Sequence, residues 1–296
     1  MKTQNKPIIE FKNLTFSYQL QEKPALKNIN LTIYEGEYVA FLGLNGAGKT
    51  TMQLCINGVV PNMIVGDFKG QVLVDGMDTQ DYPTREMAKV VGIVFDNPEF
   101  QLTQTSVAEE VALGLENLGV PTNEMKSIVD EALDTVGLSG LQERSPFELS
   151  GGQQQRLAIA SALAMNPRIF VMDEPTSNID PIGKEEVIAV AAKLNKEKKM
   201  TVIIAEHEVE VIARYADHVI VIHEGEIVLD GTPHDVFSQV EMLQKIGLRP
   251  PQVTEFAYRL EKDYGLKGAG YPIRIDEAER FIIEMSKKNS KVASYE

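Results

Sequence analysis

The sequence predicts an α/β protein: a small antiparallel sheet at the N-terminus, a parallel core sheet behind it, and a small, mostly helical extension at the C-terminus. Three observations predict it. Apolar and polar residues alternate at Ile9 and Phe11, then at Leu14, Phe16 and Tyr18, and again at Ile29, Leu31 and Ile33, the two-residue period of half-buried strands. From Tyr38 onward the pattern changes to short, wholly apolar runs, Val39 to Leu42, Ile169 to Met172, Val202 to Ala205 and Val219 to Ile222, which suit strands covered on both faces. After Gly231 the alternation of strands and helices ends, and Arg249-Pro250-Pro251 marks a boundary.

The intervening helices are marked by their own period. The strand Val39 to Leu42 runs through a glycine-rich stretch into a helix reaching about Gly58. Met125, Ile128, Val129, Ala132, Leu133 and Val136 form one apolar stripe, and Val187, Val190, Ala191 and Leu194 form another. Between them a helix begins after Leu149-Ser150-Gly151-Gly152-Gln153 and is ended by Asn166-Pro167. In the last part of the chain Val253, Phe256, Ala257 and Leu260, then Ala278, Phe281, Ile282 and Met285, predict two amphipathic helices. The expected division is residues 1–241 for the main domain and 242–296 for a 55-residue extension, polar from Lys287 and expected to fray there.

Composition bounds the function. The chain has 296 residues, above the roughly 250 at which one core usually stops growing, which agrees with a full-size domain plus an appendage. Hydrophobic residues are 43% and charged residues 24%, the balance of a chain that folds in water. No stretch approaches the ~20 apolar residues of a membrane span, and Met1 to Pro7 lacks the apolar centre of a signal peptide, so a cytosolic chain is expected unless another protein holds it at a membrane. Cys55 is the single cysteine, which excludes an internal disulfide and a multi-thiolate metal site. A net charge of -14 argues against nucleic acid as a partner, because no general positive field is present. An anionic ligand must be held by a local device.

That device is Gly43-Leu44-Asn45-Gly46-Ala47-Gly48-Lys49-Thr50, a gapless G-x-x-x-x-G-K-[ST] between an apolar strand and a helix. Its glycines let successive amides point into one concavity, and the helix start adds partial positive charge. Lys49 is expected to reach the β and γ phosphates of a nucleotide, and Thr50 to ligate Mg²⁺. A second strand, ending in Met172-Asp173-Glu174, supplies two adjacent acids whose side chains diverge at the strand end. Asp173 suits the Mg²⁺ shell and Glu174 the polarisation of an attacking water. Alone, such a strand end would read as a solvated edge or a helix-capping feature.

Ser150-Gly151-Gly152-Gln153 lies 23 residues before Asp173, between the phosphate loop and the acidic strand. Its bare reading is a turn or an N-cap. In this order the motifs resemble the ATP-binding-cassette (ABC) ATPases, over roughly residues 8 to 231. The resemblance implies a cassette fold with a helical signature subdomain at about 97–167, and ATP contacts from Tyr18, Gly43, Asn45, Gly46, Ala47, Gly48, Lys49, Thr50 and Thr51. Tyr18 stands where the family stacks an aromatic on adenine. Ser150, Gly151, Gly152 and Gln153 would be the signature that contacts ATP held by the opposite subunit. Ser177-Asn178-Ile179-Asp180 resembles the D-loop, although Asp180 before Pro181 also reads as a helix cap. His207 matches the switch histidine that works with Glu174; His218, His223 and His234 read as structural or solvated.

One position departs from the family pattern. Members usually carry Phe-Gln in the Q-loop, whereas this chain reads Phe95-Asp96-Asn97-Pro98-Glu99-Phe100-Gln101. Asp96 keeps an oxygen for Mg²⁺ and loses an amide donor, with Gln101 as an available substitute. In the family this region forms the groove for a cytoplasmic helix of the membrane partner, so Asp96, Glu99 and Gln101 would line it, the two acids facing an arginine. The strings Asn97 to Leu102 and Val107 to Ala112, with Leu248 to Glu255 and Gly270 to Ile273 in the extension, look most like the ATPase subunits of energy-coupling-factor importers.

The resemblance implies an ATP- and Mg²⁺-dependent ATPase at the cytoplasmic membrane face. It would pair with a second ABC ATPase subunit through the extension, and drive a transmembrane coupling subunit and a substrate-capturing membrane protein for a vitamin or transition-metal ion. Two other readings stay open at this point: the ATPase of a binding-protein-dependent ABC importer, and a soluble ABC ATPase without a membrane partner. The second usually has two cassettes in one chain or a long coiled coil, and this sequence has one cassette and no sustained heptad run.

Overall fold

The computed structural model describes residues 6–19, 21–177, 179–266 and 268–292. Strands β1 (Pro7–Tyr18), β2 (Leu26–Tyr34), β4 (Gly66–Val74) and β5 (Met77–Asp78) form an antiparallel sheet in the order β2-β1-β4-β5. The alternation in β1 slips by one residue between Phe11 and Leu14, and the register with β2 shifts at the same place, with Asn13 at φ 52°. The extra residue keeps Phe11, Leu14 and Phe16 all buried on one face, as a bulge does.

The core sheet has the order β10-β9-β3-β8-β7-β6, from β3 (Tyr38–Leu42), β6 (Val91–Val94), β7 (Ile169–Asp173), β8 (Thr201–Ala205), β9 (His218–His223) and β10 (Glu226–Gly231). All neighbours are parallel except the β9–β10 pair at one edge. Tyr38, Ala40 and Leu42 face one hydrophobic cluster while Val39 and Phe41 face another, which is why the runs are apolar at every position. The first cluster is closed by the helices Val107–Asn117, Thr122–Thr135, Gly151–Ala164 and Pro181–Lys198; the second by the N-terminal sheet and the helix Lys49–Ile56.

Because β8 lies between β3 and β7, three strand ends meet at one edge of the sheet: Leu42 leads into the glycine loop, Asp173 ends β7, and Ala205 leads into Glu206 and His207. Ligands of open α/β sheets collect at this carboxyl edge.

The expected boundary between residues 241 and 242 falls inside the helix Val240–Lys245. Leu243, Ile246 and Leu248 pack into the main core, so the chain leaves it only at the turn around Pro250. The extension then folds as the helices Gln252–Tyr264 and Ile275–Val292 around a cluster of Ala257, Phe281 and Met285. It returns to the main body through Ile273, which joins the main core, and through His234, whose Nε2 lies 3.2 Å from a Glu277 oxygen. The end expected to fray from Lys287 continues as helix to Val292; residues 293–296 lie outside the described residues. No described helix is long and apolar enough to cross a membrane.

Candidate active site

The glycine loop closes tightly on its surroundings. A Cβ on Gly43 would lie 2.4 Å from the Ile222 carbonyl oxygen, and Gly48, at φ +116°, would place one 2.9 Å from the Ala25 oxygen. Neither position can take a side chain without moving main chain. The loop turns back so that Lys49 is only 4% exposed, its Nζ donating to the carbonyl oxygens of Gly43 at 2.9 Å and Leu44 at 3.4 Å.

A cleft of about 920 Å³ opens over the loop. Tyr18, Asn45, Gly46, Gly48, Lys49, Thr50, Thr51, Asp96, Asp173 and Glu174 line it, so the sheet edge brings together most of the residues expected to bind nucleotide. Tyr18 is fixed by its hydroxyl, 2.9 Å from Thr51 Oγ1, and by an edge contact with Phe16. Gly43 and Ala47 support the loop from behind, Ala47 buried. The cleft also takes in Lys23 and Lys27, which sequence reasoning missed. The signal available was a pair of lysines in the stretch following Tyr18, two cations set close together in an acidic chain.

Asp173 and Glu174 diverge as expected. Thr50 Oγ1 donates to Asp173 Oδ2 at 2.7 Å, while Asp173 Oδ1 is buried without a partner among the described residues. Burial pushes the Asp173 carboxyl up, and the charges of Glu174 and Asp96 add to it against the opposing hydrogen bond from Thr50 and the charge of Lys49. A hydroxyl, an orphaned carboxylate oxygen and a crowd of acids fit a small hard cation. Among the described residues no three or more acidic, histidine or cysteine side chains are placed to hold a metal ion by themselves, so such a cation would take the rest of its oxygens from substrate and water.

Glu174 sits in the left-handed region at φ 46°, its N–H donating to the Ala205 carbonyl at 3.0 Å. Its Oε1 lies 2.7 Å from His207 Nε2 and 3.4 Å from Lys49 Nζ. Residues far apart in sequence therefore converge on one carboxylate oxygen.

Other expected residues lie elsewhere. Ser150 caps the helix Gly151–Ala164 through a reciprocal pair with Gln153, and Gly152 packs against Gly183, where a Cβ would lie 3.1 Å from its Cα. These signature-like residues do not line the cleft. Asp180 caps the next helix, accepting from the N–H groups of Ile182 and Gly183; Asn178 in the same string lies outside the described residues. Gln101 is not an open substitute for the missing Q-loop amide. Its Oε1 accepts from the Phe95 N–H at 2.8 Å and its Nε2 donates to the Ile93 oxygen at 3.3 Å, so both ends brace the loop. Asp96 lines the cleft; Glu99 and Phe100 are exposed outside it. His218, by contrast, is structural, its Nε2 held 2.5 Å from Asp230.

Residues 26–177 match the ABC transporter family. This chain belongs to that family. It is 43% identical over 279 residues to the energy-coupling factor transporter ATP-binding protein EcfA1 of Caldanaerobacter subterraneus subsp. tengcongensis, covering 93% of this chain and 98% of that one. Among solved structures it is similar to cbiO1 from Clostridium perfringens, described as part of the ABC transporter complex cbiONQ, with a TM-score of 0.71, 35% identity, and coverage of 82% of this chain and 95% of that one. It is also similar to the ATP-binding cassette MJ0796, solved as a dimer in a post-hydrolysis state with ADP and Pi, at TM-score 0.67 and 32% identity over 76% of this chain and 99% of that one. Against another curated relative the chain spans only 48% of the length. The ABC protein described here is an ATP-binding transporter ATPase with the cassette fold, similar to the energy-coupling-factor ATPases, and ATPases of this family dimerise.

Proposed function

We propose that this ABC ATPase is the motor subunit of an energy-coupling-factor importer, hydrolysing ATP to drive uptake of a vitamin or transition-metal ion. The observation that carries the reading is the convergence of Lys49, Thr50, Asp173 and Glu174 at one end of the cleft, with His207 held against Glu174 from outside its lining. The likeness to EcfA1 and to cbiO1 supports the subgroup.

In this reading Tyr18 stacks on adenine and the amides of Asn45 to Thr51, with Lys49, hold the phosphates. Thr50 Oγ1 and Asp173 would hold Mg²⁺, with Asp96 beside them, and the ion would neutralise charge on the β and γ oxygens. Lys49 is shared between main-chain oxygens and Glu174; an arriving phosphate competes for its ammonium and leaves the Glu174 carboxylate free to take a proton from the attacking water. His207, in contact with Glu174, orients that carboxylate. Ser150 to Gln153 and Asp180 lie away from the chain's own cleft and are left to serve the ATP of a second subunit.

The extension fits the same picture. Phe256, Tyr264, Ile275, Ile282 and Ile283 are exposed on its two helices, and a second ATPase subunit, identical or related, would cover them. Asp96 and Glu99 with the exposed Phe100 would meet the coupling subunit, which holds the complex at the cytoplasmic face of the membrane. Affinity purification from membranes tests the reading. A coupling subunit with a small substrate-capturing membrane protein is the expected result; a periplasmic or lipid-anchored binding protein with two permease subunits would contradict it.

A further inference from the structure

Glu206, the residue after β8, has no part in the reading above. The structure turns it inward. It is 4% exposed, and its carboxylate accepts from three donors: Thr176 Oγ1 to Oε2 at 2.7 Å, and the N–H groups of His207 at 2.9 Å and Glu208 at 3.4 Å to Oε1.

These partners lie on two different loops. Thr176 follows Glu174 by two residues, whereas His207 and Glu208 begin the segment after β8. The main chain already links the loops once, through the Glu174 N–H and the Ala205 oxygen. Glu206 links them again with its side chain. Capping two amides needs only a short neutral acceptor, and a buried carboxylate is costly to desolvate. What the longer acid adds is reach to Thr176. Glu174 itself is held at φ 46°, a conformation a non-glycine residue keeps only when its surroundings determine it.

We propose that Glu206 is a positioning residue for ATP hydrolysis: by clamping Thr176 to the backbone of His207 it fixes the loop bearing Glu174 against the loop bearing His207, and so sets their 2.7 Å contact. The inference rests on the assignment of Glu174 and His207 to the reaction. It places part of the geometric control of the carboxylate in a residue outside the lining of the cleft.

Steady-state ATPase measurements on the full chain test it, with rates expressed per nucleotide bound, as titrated with a non-hydrolysable ATP analogue. Glu206→Ala is expected to lower kcat about ten- to a hundredfold, the scale of a misplaced catalytic group, while KM for ATP stays within about twofold. Glu206→Gln should recover most of the rate, since its carbonyl keeps the two amide bonds and its NH₂ can donate to the Thr176 hydroxyl. Thr176→Val should lose activity as Glu206→Ala does, and it carries the test if the alanine variant fails to fold. In a His207→Ala background, Glu206→Ala should add little. A kcat within about twofold of wild type for both Glu206→Ala and Thr176→Val, or a full additional loss in the His207→Ala background, overturns the proposal. Wild-type turnover by Glu174→Gln would instead remove the underlying assignment; an inactive Glu174→Gln beside a silent Glu206 series leaves that assignment standing.

Discussion

The nucleotide cleft and the C-terminal extension are built on opposite terms. The cleft hangs on the edge of a sheet covered on both faces, and Lys49, Asp173 and Glu206 are buried with partners on segments distant in sequence, Glu174, Thr50 and Thr176. The extension's own cluster is small, built on Ala257, Phe281 and Met285, and it leaves Tyr264 74% and Ile275 78% exposed. One region is fixed by its own chain and the other presents apolar surface for something else to cover. The proposed motor would use this division: a rigid site for chemistry, and a contact that would keep two such sites together while each opens and closes.

Four perturbations sharpen the contrast, and the largest effects belong to the cleft. Glu174→Gln should lower ATP turnover by about 10² to 10⁴, because the amide keeps the shape and cannot take the proton. Steady-state phosphate release checks it, and multiple turnovers near the wild-type rate would release Glu174 from its role. Lys49→Ala should act earlier, weakening nucleotide binding by about ten- to a hundredfold through loss of the charge-assisted bonds to phosphate. Titration with a non-hydrolysable ATP analogue reads that loss, and unchanged affinity would overturn the phosphate-loop assignment.

The extension should respond in assembly and not in chemistry. Truncation after Pro250, which keeps Leu243, Ile246 and Leu248 in the main core and removes Ile273 with the extension, should give a chain that binds nucleotide and is monomeric without ATP. If it sediments as the same dimer as the full chain, the exposed stripes have another purpose. The smallest effect concerns His218. Its burial opposes the charge, but the bonds to Asp230 and Glu37 win and hold its pKa up to about 9. A group with a raised folded pKa stabilises fully below its unfolded value, near ~6.5, and that contribution fades as pH rises through about 9. The Tm difference between wild type and His218→Gln should therefore be larger at pH 6 than at pH 10, and a constant difference would contradict the pairing.

Much of this was legible in the sequence, for physical reasons. The phosphate loop was legible because only glycine fits at Gly43 and Gly48, so the spacing is rigid. The buried strands were legible because cover on both faces forces an unbroken apolar run. Even the bulge in β1 shows, as the slip between Phe11 and Leu14. Strand β6 was missed because Gly92 interrupts a four-residue run, a glycine kept where Pro167 and Phe170 close in on its Cα. That Leu243 and Ile246, in the expected extension, pack into the main core is a tertiary contact that the sequence pattern does not report. Glu206 and Gln101 are the instructive cases. Each is a polar residue whose partners lie on other segments or on its own main chain, and no periodicity reports that.

The central claim is that two copies of this site, or this site and a related one, close on ATP and reopen only when Glu174 permits hydrolysis. Sedimentation equilibrium of the Glu174→Gln chain truncated after Pro250, with and without ATP, tests it most directly, because the extension can no longer hold the subunits together. The account predicts a monomer without nucleotide and a stable dimer with ATP. A truncated Glu174→Gln chain that binds ATP yet stays monomeric at every concentration would contradict it.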